Sequence, residues 1–252
     1  MTRLLQSLVA GLGQGSIYAL LALGYVIIYK STRVISFAQP GLMAFGSWWV
    51  IYFSTVADMD FYLALAVAVL MTAAMAALIE RIAIRPMIGE PVFAIAILTI
   101  GVDIVLRILV NDLLGSDIRS IPDPWGLKTW SLGGIIVQQR YVAMIVAATS
   151  IVAMLFAFFK YTRTGLAMRA TAFDQEVALA QGISVGGVFS LSWVIAGALA
   201  AIAGMFVGSG SGIDQQTAFV ALRALPAMIL GGLDSVEGAV IGALAIGIVE
   251  SL

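Results

Sequence analysis

Two charged residues stand together inside an apolar run, and they are the first candidates for chemistry in this chain. Asp103 and Arg107 lie four residues apart within VFAIAILTIGVDIVLRILV, a spacing that places both on one face of a helix. A single charge at the centre of a bilayer costs about 2.5–3.5 kcal/mol on insertion scales, so we expect the two side chains to pair and to face inward. A structural ion pair and a relay for protons or solute both agree with this spacing.

The rest of the sequence excludes most catalytic chemistry. It has no histidine and no cysteine, which removes the commonest general base and the usual soft-metal ligands. The glycine-rich stretches GLGQGS and GSGSG have no strand–turn–helix context, and no G-x-x-x-x-G-K-[ST] motif occurs. We therefore expect no catalytic residue, no metal site and no cofactor on this chain. No basic run indicates binding to nucleic acid.

The composition predicts that these residues are carried by membrane-spanning helices. The chain is 62% hydrophobic and 11% charged, with a mean hydropathy of +1.06, whereas soluble domains have about 45–50% apolar and about 25% charged residues. A run of about 20 apolar residues crosses a bilayer. We predict an all-α, polytopic transmembrane helix bundle, with 1–252 as a single domain. The predicted spans are 7–29, 34–56, 61–80, 91–114, 141–160 and 185–208, then a broken apolar region from 222 to the end, with an extramembrane loop at 115–140.

Basic residues orient these spans. Cytoplasmic loops carry an excess of Lys and Arg. Placing segments 30–33, 81–90 and 160–184 inside puts seven basic residues in the cytoplasm, namely Lys30, Arg33, Arg81, Arg85, Lys160, Arg163 and Arg169. The opposite side then receives four: Arg3, Arg119, Lys128 and Arg140. The N-terminus is thus predicted to lie outside.

Two apolar segments carry helix breakers near their starts. Pro40-Gly41 falls early in the second, and Pro226 precedes Gly231-Gly232 in the last. Such interruptions at corresponding places point to a translocation path between two inverted halves built from discontinuous helices, although ordinary packing kinks have the same pattern. Polar residues near these places are the candidate path residues: Gln14, Ser16, Tyr18, Ser36, Gln39 and Pro40.

The segment 160–184 is unusually polar for this chain. Between its charged residues, apolar residues recur at the spacing of one helix face, at Leu166, Ala170, Phe173, Val177 and Ala180. The pattern predicts a short amphipathic cytoplasmic helix. It does not distinguish a helix on the lipid surface from one that docks on a protein.

Several ordered motifs give the chain a family resemblance. They are GSIYALLALGYVIIY (15–29), ERIAIRPM (80–87), LTIG (98–101), RTGLAMRATAFDQEVALAQGI (163–183) and LGGLDSVEGAVIGALAIGIVE (230–250). Together they resemble the branched-chain amino acid permeases of ATP-binding-cassette (ABC) importers, and within them Glu176-Val177-Ala178 and Gly182 resemble the EAA loop of such permeases. The resemblance implies a bacterial or archaeal inner-membrane subunit that works with a second, similar permease, two cytoplasmic ATPases that hold ATP and Mg²⁺, and an extracytoplasmic solute-binding protein. It assigns ATPase coupling to Arg163, Gly165, Arg169, Ala170, Asp174, Glu176, Ala178 and Gly182.

The chain also departs from the family pattern. Family members carry Asn-Phe-Ala-His-Gly-Glu after the first span, whereas this chain has Ser36-Phe37-Ala38-Gln39-Pro40-Gly41. The solute is therefore left open between an amino acid and a urea, amide or short organic acid. A further hydrophobic segment is expected where the sequence stops at Leu252. Two other classes stay open at this point: an ion-coupled transporter or channel that uses Asp103 and Arg107, and a scaffold subunit.

Overall fold

The computed structural model describes residues 2–87, 90–114, 119–126, 128–132, 135–213 and 217–252. Its described elements are eleven α-helices and one antiparallel hairpin. The helices are α1 (Thr2–Thr32), α2 (Gln39–Ile51), α3 (Phe61–Ile79), α4 (Val92–Leu114), α5 (Gln139–Tyr161), α6 (Arg163–Phe173), α7 (Gln175–Ala180), α8 (Val185–Ser211), α9 (Phe219–Leu222), α10 (Ala224–Gly231) and α11 (Val236–Ser251). The strands are β1 (Thr129–Leu132) and β2 (Ile135–Gln138). Two helices end in irregular turns, α2 in a π-helix at Tyr52–Val56, and α3 in a π-helix at Glu80–Ile84 with a 3₁₀ turn at Arg85–Met87.

The predicted helical membrane bundle is confirmed. Five helices within the described ranges are long and apolar enough to cross a bilayer. They fall on the predicted spans 7–29, 61–80, 91–114, 141–160 and 185–208. The span predicted at 34–56 is wrong at its start, because helix begins only at Gln39, where Pro40 occupies the first turn. Pro is tolerated there because the first N–H groups of a helix have no partner within the helix. The predicted break after 222 is confirmed by the division into α9, α10 and α11.

Helix α1 lies at the centre of the bundle. It packs against α11, α8, α5 and α10, and its residues from Gly15 to Ile28 are buried. The contact with α11 is the closest, because a Cβ added at Gly247 would collide with the backbone of Gly15. Small residues at such contacts allow helix backbones to approach in a membrane, where van der Waals packing drives association. Gly15 and Gly247 therefore fix the position of α11 on α1.

Helix packing repeats itself in the two parts of the chain. Helix α1 packs on α11 in the way that α8 packs on α3, and α2 packs on α8 in the way that α10 packs on α1. Helices α2 and α3 also contact each other, as do α10 and α11. Exchanging α1 with α8, α2 with α10 and α3 with α11 maps each contact onto another one. This is the packing that two inverted halves predict.

The predicted outer loop at 115–140 contains structure that the sequence pattern did not indicate. It carries the β1–β2 hairpin, and Arg119 pairs through its backbone with Ile213 after α8. Trp125 of this loop stacks on Phe206 of α8 and contacts Phe61 of α3 edge-on. The loop therefore packs over the ends of these two helices.

Candidate coupling segment and intramembrane polar site

The polar segment 160–184 contains two short helices, α6 and α7, that meet at Asp174. The Thr162 hydroxyl caps α6 by accepting from the Gly165 N–H at 2.9 Å. Asp174 has an extended backbone and caps α7 by accepting from the Glu176 and Val177 N–H groups, each at 2.9 Å. The prediction of one continuous amphipathic helix is therefore wrong, because a side chain that satisfies the free N–H groups of a helix start favours beginning a new helix there.

The two helices bury one face and expose the other. Gly165 and Ala178 are buried, whereas Arg163, Arg169, Glu176 and Gly182 are exposed and Ala170 and Asp174 are half-buried. The predicted apolar stripe lies mainly on the exposed face, where Phe173 is 91% exposed and Leu166 and Val177 are also exposed. This leaves an apolar surface, with charged residues beside it, that nothing in this chain covers within the described ranges.

Close backbone contact holds α6 against α5. A Cβ on Gly165 would collide with the carbonyl oxygen of Phe158 and lie 2.7 Å from the Cα of Phe159. No larger residue is accommodated there without moving α6. Gly165 thus lets α6 lie directly against the end of α5, a membrane-spanning helix.

Two side-chain bonds join segment 160–184 to the end of α1. Gln175 Nε2 donates to the Ser31 carbonyl oxygen at 3.0 Å, and Arg33 donates to the Ala172 carbonyl oxygen. Arg33 also pairs with Asp234, just before α11, where Nη1 donates to both carboxylate oxygens at 3.0 and 3.2 Å. Helices α6 and α7 are therefore bonded to the residues at the end of α1, next to the first helix break.

A buried ion pair links the end of α3 to the start of α8. The fully buried Glu80 carboxylate accepts two hydrogen bonds from Arg85, each 3.0 Å long, and a further one from the Ser190 hydroxyl. Arg85 also donates to the Gly186 carbonyl oxygen at 3.0 Å. Sequence reasoning counted Arg85 only as a cytoplasmic charge and missed this network. Its signal was the pair of opposite charges in ERIAIR, brought together by the π-helical turn.

The first break is enclosed within the protein. Ser36, Gln39 and Pro40 are all buried. The Phe37 N–H donates to Thr99 Oγ1 at 3.0 Å, and the Gln39 amide lies against Gly24 of α1, where a Cβ would collide with it. The non-helical backbone is thus surrounded by protein, as membrane-embedded irregular backbone requires.

The predicted charge pair is present and lies between the start of α2 and the start of α9. Arg107 and Asp103 approach to 2.7 Å. A Cβ on Gly41, in the first turn of α2, would lie 3.1 Å from Asp103 Oδ1, and the Arg107 guanidinium stands 5.4 Å from the Phe219 ring centroid at the start of α9. The pair therefore contacts α2 and α9, the helices that follow α1 and α8 in the sequence.

Two of the candidate path residues on α1, Gln14 and Tyr18, belong to a polar cluster whose other members the sequence analysis missed. Gln14 donates to the Tyr18 hydroxyl at 3.3 Å, and Tyr18 donates to the Glu250 carboxylate, which also pairs with Arg223. The Arg223 and Glu250 side chains are 58% and 37% exposed. Ser16 does not take part, since its hydroxyl donates to Leu12 of its own helix. The two missed residues, Arg223 and Glu250, are two of the four charged residues in the last apolar region, a signal that was available in the sequence.

The chain is a bundle of membrane-spanning helices with internal breaks, a buried ion pair and a polar segment at one end. These features are those of a multi-pass membrane permease. The family model described as "Branched-chain amino acid transport system / permease component" matches residues 7–252. The chain belongs to this family, which confirms the resemblance found in its motifs.

Individual relatives agree with this membership. The chain is 33% identical to the high-affinity branched-chain amino acid transport system permease protein LivH of Escherichia coli K12, over 98% of this chain and 85% of that one. It is 31% identical to BraD of Pseudomonas aeruginosa, a permease protein of the same description, with the same coverage. A probable LivH of the archaeon Methanocaldococcus jannaschii is 27% identical over 94% of this chain and 77% of that one. Among solved structures, PsaBC from Streptococcus pneumoniae in complex with Fab is similar, at 16% identity with a TM-score of 0.48 over 99% of this chain and 80% of that one.

Family membership makes the chain a transport subunit of the bacterial and archaeal inner membrane. A permease component works with the other components of its transport system, an ATPase and a solute-binding protein.

Proposed function

We propose that this chain forms half of the translocation pathway of an ABC importer for a small zwitterionic solute, with a branched-chain or related amino acid as the first candidate. A second, similar permease supplies the other half. Two cytoplasmic ATPases hold ATP and Mg²⁺, and an extracytoplasmic protein delivers the solute. The family match over residues 7–252 carries this proposal.

The cluster of Gln14, Tyr18, Arg223 and Glu250 supports the pathway. Helix α11 rises about 21 Å from Val236 to Glu250 at 1.5 Å per residue, starting beside the Arg33–Asp234 pair at the end predicted to be cytoplasmic. The half-exposed Arg223–Glu250 pair therefore lies within the thickness of the bilayer and not at the predicted cytoplasmic surface. Charges are costly against lipid tails and line water-filled or protein-covered surfaces instead. A face shared with the second permease meets that requirement and presents both a cation and an anion to a zwitterion.

The segment 160–184 supports coupling to the ATPases. Its exposed face combines Phe173 and Val177 with Arg163, Arg169 and Glu176, while its buried face is attached to α1 through Gln175 and Arg33. An ATPase that pushes on the exposed face moves the end of α1. This motion reaches Ser36, Gln39 and Pro40 at the first break, whose rearrangement opens the path.

Reconstitution tests the proposal. The chain is purified in mild detergent with its co-purifying proteins, placed in liposomes, and supplied with ATP inside and solute-loaded binding protein outside. We expect uptake that requires ATP, and two ATPase chains with a second permease in the purified assembly. Uptake by the chain alone under an ion gradient would establish the secondary-transporter alternative, and an assembly without uptake of any bound solute would establish the scaffold.

The solute is identified through the binding protein that co-purifies. Screening it by calorimetry against leucine, isoleucine, valine, urea, short amides and short organic acids separates the candidates. Arg223→Gln then tests the pathway cluster, because it removes the cation and leaves Glu250 in place. We expect lower uptake of the identified zwitterion with an unchanged affinity of the binding protein.

A further inference from the structure

A cavity of about 320 Å³ lies where α6 meets the ends of α1 and α5 and the start of α11. Its rim carries three cations, Lys30, Lys160 and Arg169, against one carboxylate, Glu237. Within the described ranges, neither Lys30 nor Arg169 forms an ion pair. The cavity therefore has an excess of positive charge that no described residue of the chain neutralises.

The inner walls of the cavity are apolar. Ile27, Phe156, Phe159, Met168 and Val236 line it. Ile27 and Phe156 each lie five residues before the last residue of their helices, Thr32 and Tyr161, which is a depth of about 7 Å. The cavity thus has charged residues at the helix ends and apolar residues deeper along α1 and α5, toward the membrane interior.

We propose that this cavity binds an anionic phospholipid of the cytoplasmic leaflet, with its phosphate between Lys30, Lys160 and Arg169 and the start of an acyl chain against Ile27 and Phe156. Basic cavities between membrane helices on the cytoplasmic side suit anionic headgroups. A soluble anion would leave the apolar walls unfilled, and a zwitterionic lipid would bring its own cation to a rim that already carries three. Because Arg169 belongs to the proposed coupling segment, the bound lipid lies between that segment and α1.

Lipid retention tests the proposal on the intact complex. The complex is extracted in mild detergent from membranes that contain phosphatidylglycerol and phosphatidylethanolamine, and the retained lipids are quantified by native mass spectrometry. We expect phosphatidylglycerol to be enriched over phosphatidylethanolamine. Lys30→Gln and Lys160→Gln should each lower its occupancy by about fivefold, the effect of about one basic residue at an anionic surface.

Arg81→Gln is the matched control, because Arg81 is an exposed cation of the same predicted side that does not line the cavity. It should leave phosphatidylglycerol occupancy unchanged. Equal losses in Arg81→Gln and Lys30→Gln would show general surface attraction and overturn the site. Lys160 is exposed, so Lys160→Gln keeps the test valid if the half-buried Lys30 affects folding.

Competition distinguishes the lipid from a soluble phosphate. Glycerol 3-phosphate or inorganic phosphate, added at millimolar concentration, should not displace phosphatidylglycerol from the wild-type complex. Displacement by either would overturn the lipid assignment in favour of a soluble anion. Equal occupancy in the wild type and both lysine variants would overturn the site itself.

Discussion

Gln175 donates a hydrogen bond of 3.0 Å from its side-chain amide to the carbonyl oxygen of Ser31, and so joins α7 to the last turn of α1. The acceptor is one of the carbonyl groups that a helix end leaves without a partner in the helix. The bond lies two residues before Arg33, where α1 has ended and the chain has a positive φ of 59°. If segment 160–184 couples to the ATPases as proposed, this contact passes its displacement on to the start of the first break.

Removing this bond should weaken coupling without preventing folding. A hydrogen bond contributes about 1 kcal/mol net, so Gln175→Ala should lower the uptake per ATP hydrolysed by up to about fivefold. The measurement is solute uptake and phosphate release by the complete importer in the same proteoliposomes. Gln181→Ala is the control, because Gln181 is exposed. An unchanged ratio in Gln175→Ala would remove this bond from the coupling pathway.

The turn at Gly182 gives a second test of coupling. Gly182 has a φ of +80°, and an added Cβ would meet no atom within 4 Å. Only backbone conformation therefore opposes a larger residue, and a β-branched side chain at positive φ is strained whereas asparagine tolerates it. We expect Gly182→Val to reduce coupled uptake several-fold and Gly182→Asn to retain it, with the same uptake assay as the measure. Equal behaviour of the two variants would show that the conformation of this turn does not matter for transport.

The α1–α11 contact predicts a strong effect on stability. A leucine at Gly247 would collide with the Gly15 backbone, and overpacking of this kind costs about 1–3 kcal/mol or more. Gly247→Leu should lower the thermal unfolding midpoint in detergent and reduce the folded yield. Gly101→Leu is the matched control, since Gly101 is exposed on a helix and an added Cβ meets nothing within 4 Å. If both variants unfold at the wild-type temperature, α11 does not depend on this close approach.

The Glu80–Arg85 network predicts an asymmetry between two substitutions. Removing one partner of a buried ion pair leaves an uncompensated charge and costs about 3–5 kcal/mol. Arg85→Gln should therefore destabilise the protein strongly, while Glu80→Gln leaves only the partly exposed Arg85 unpaired and should destabilise it less. Thermal unfolding of the two variants in the same detergent is the measurement. The reverse order would mean that the burial of Glu80 does not decide the stability of this junction.

How much of this structure could be predicted differs between its parts. The spans, the Asp103–Arg107 pair and the second break follow from local pattern, since hydropathy and a four-residue spacing act within one helix. The bonds of Gln175 to Ser31 and of Tyr18 to Glu250 join residues 144 and 232 positions apart. No local pattern encodes such a separation. The apolar spacing continues across Asp174 and therefore predicts one helix there. In the structure the Asp174 side chain caps α7, so that a new helix begins at Gln175.

Substitutions at Asp103 and Arg107 can distinguish a structural role of this pair from an ion relay. The two side chains meet at 2.7 Å between α2 and α9, and Asp103 is buried. If the pair is structural, Asp103→Asn and Arg107→Gln should each destabilise the protein, because each leaves a charge in an apolar setting without its partner.

The double variant Asp103→Asn/Arg107→Gln carries the decisive comparison. It removes both charges, so it should be more stable than either single variant and should recover ATP-driven uptake. An ion relay predicts the opposite, since a chain without Asp103 has no group to carry the ion and uptake stays absent however stable the fold. Thermal unfolding and ATP-driven uptake of all three variants, with and without an ion gradient, separate the two cases. Recovery of both stability and uptake in the double variant would assign the pair to holding α4 against α2 and α9.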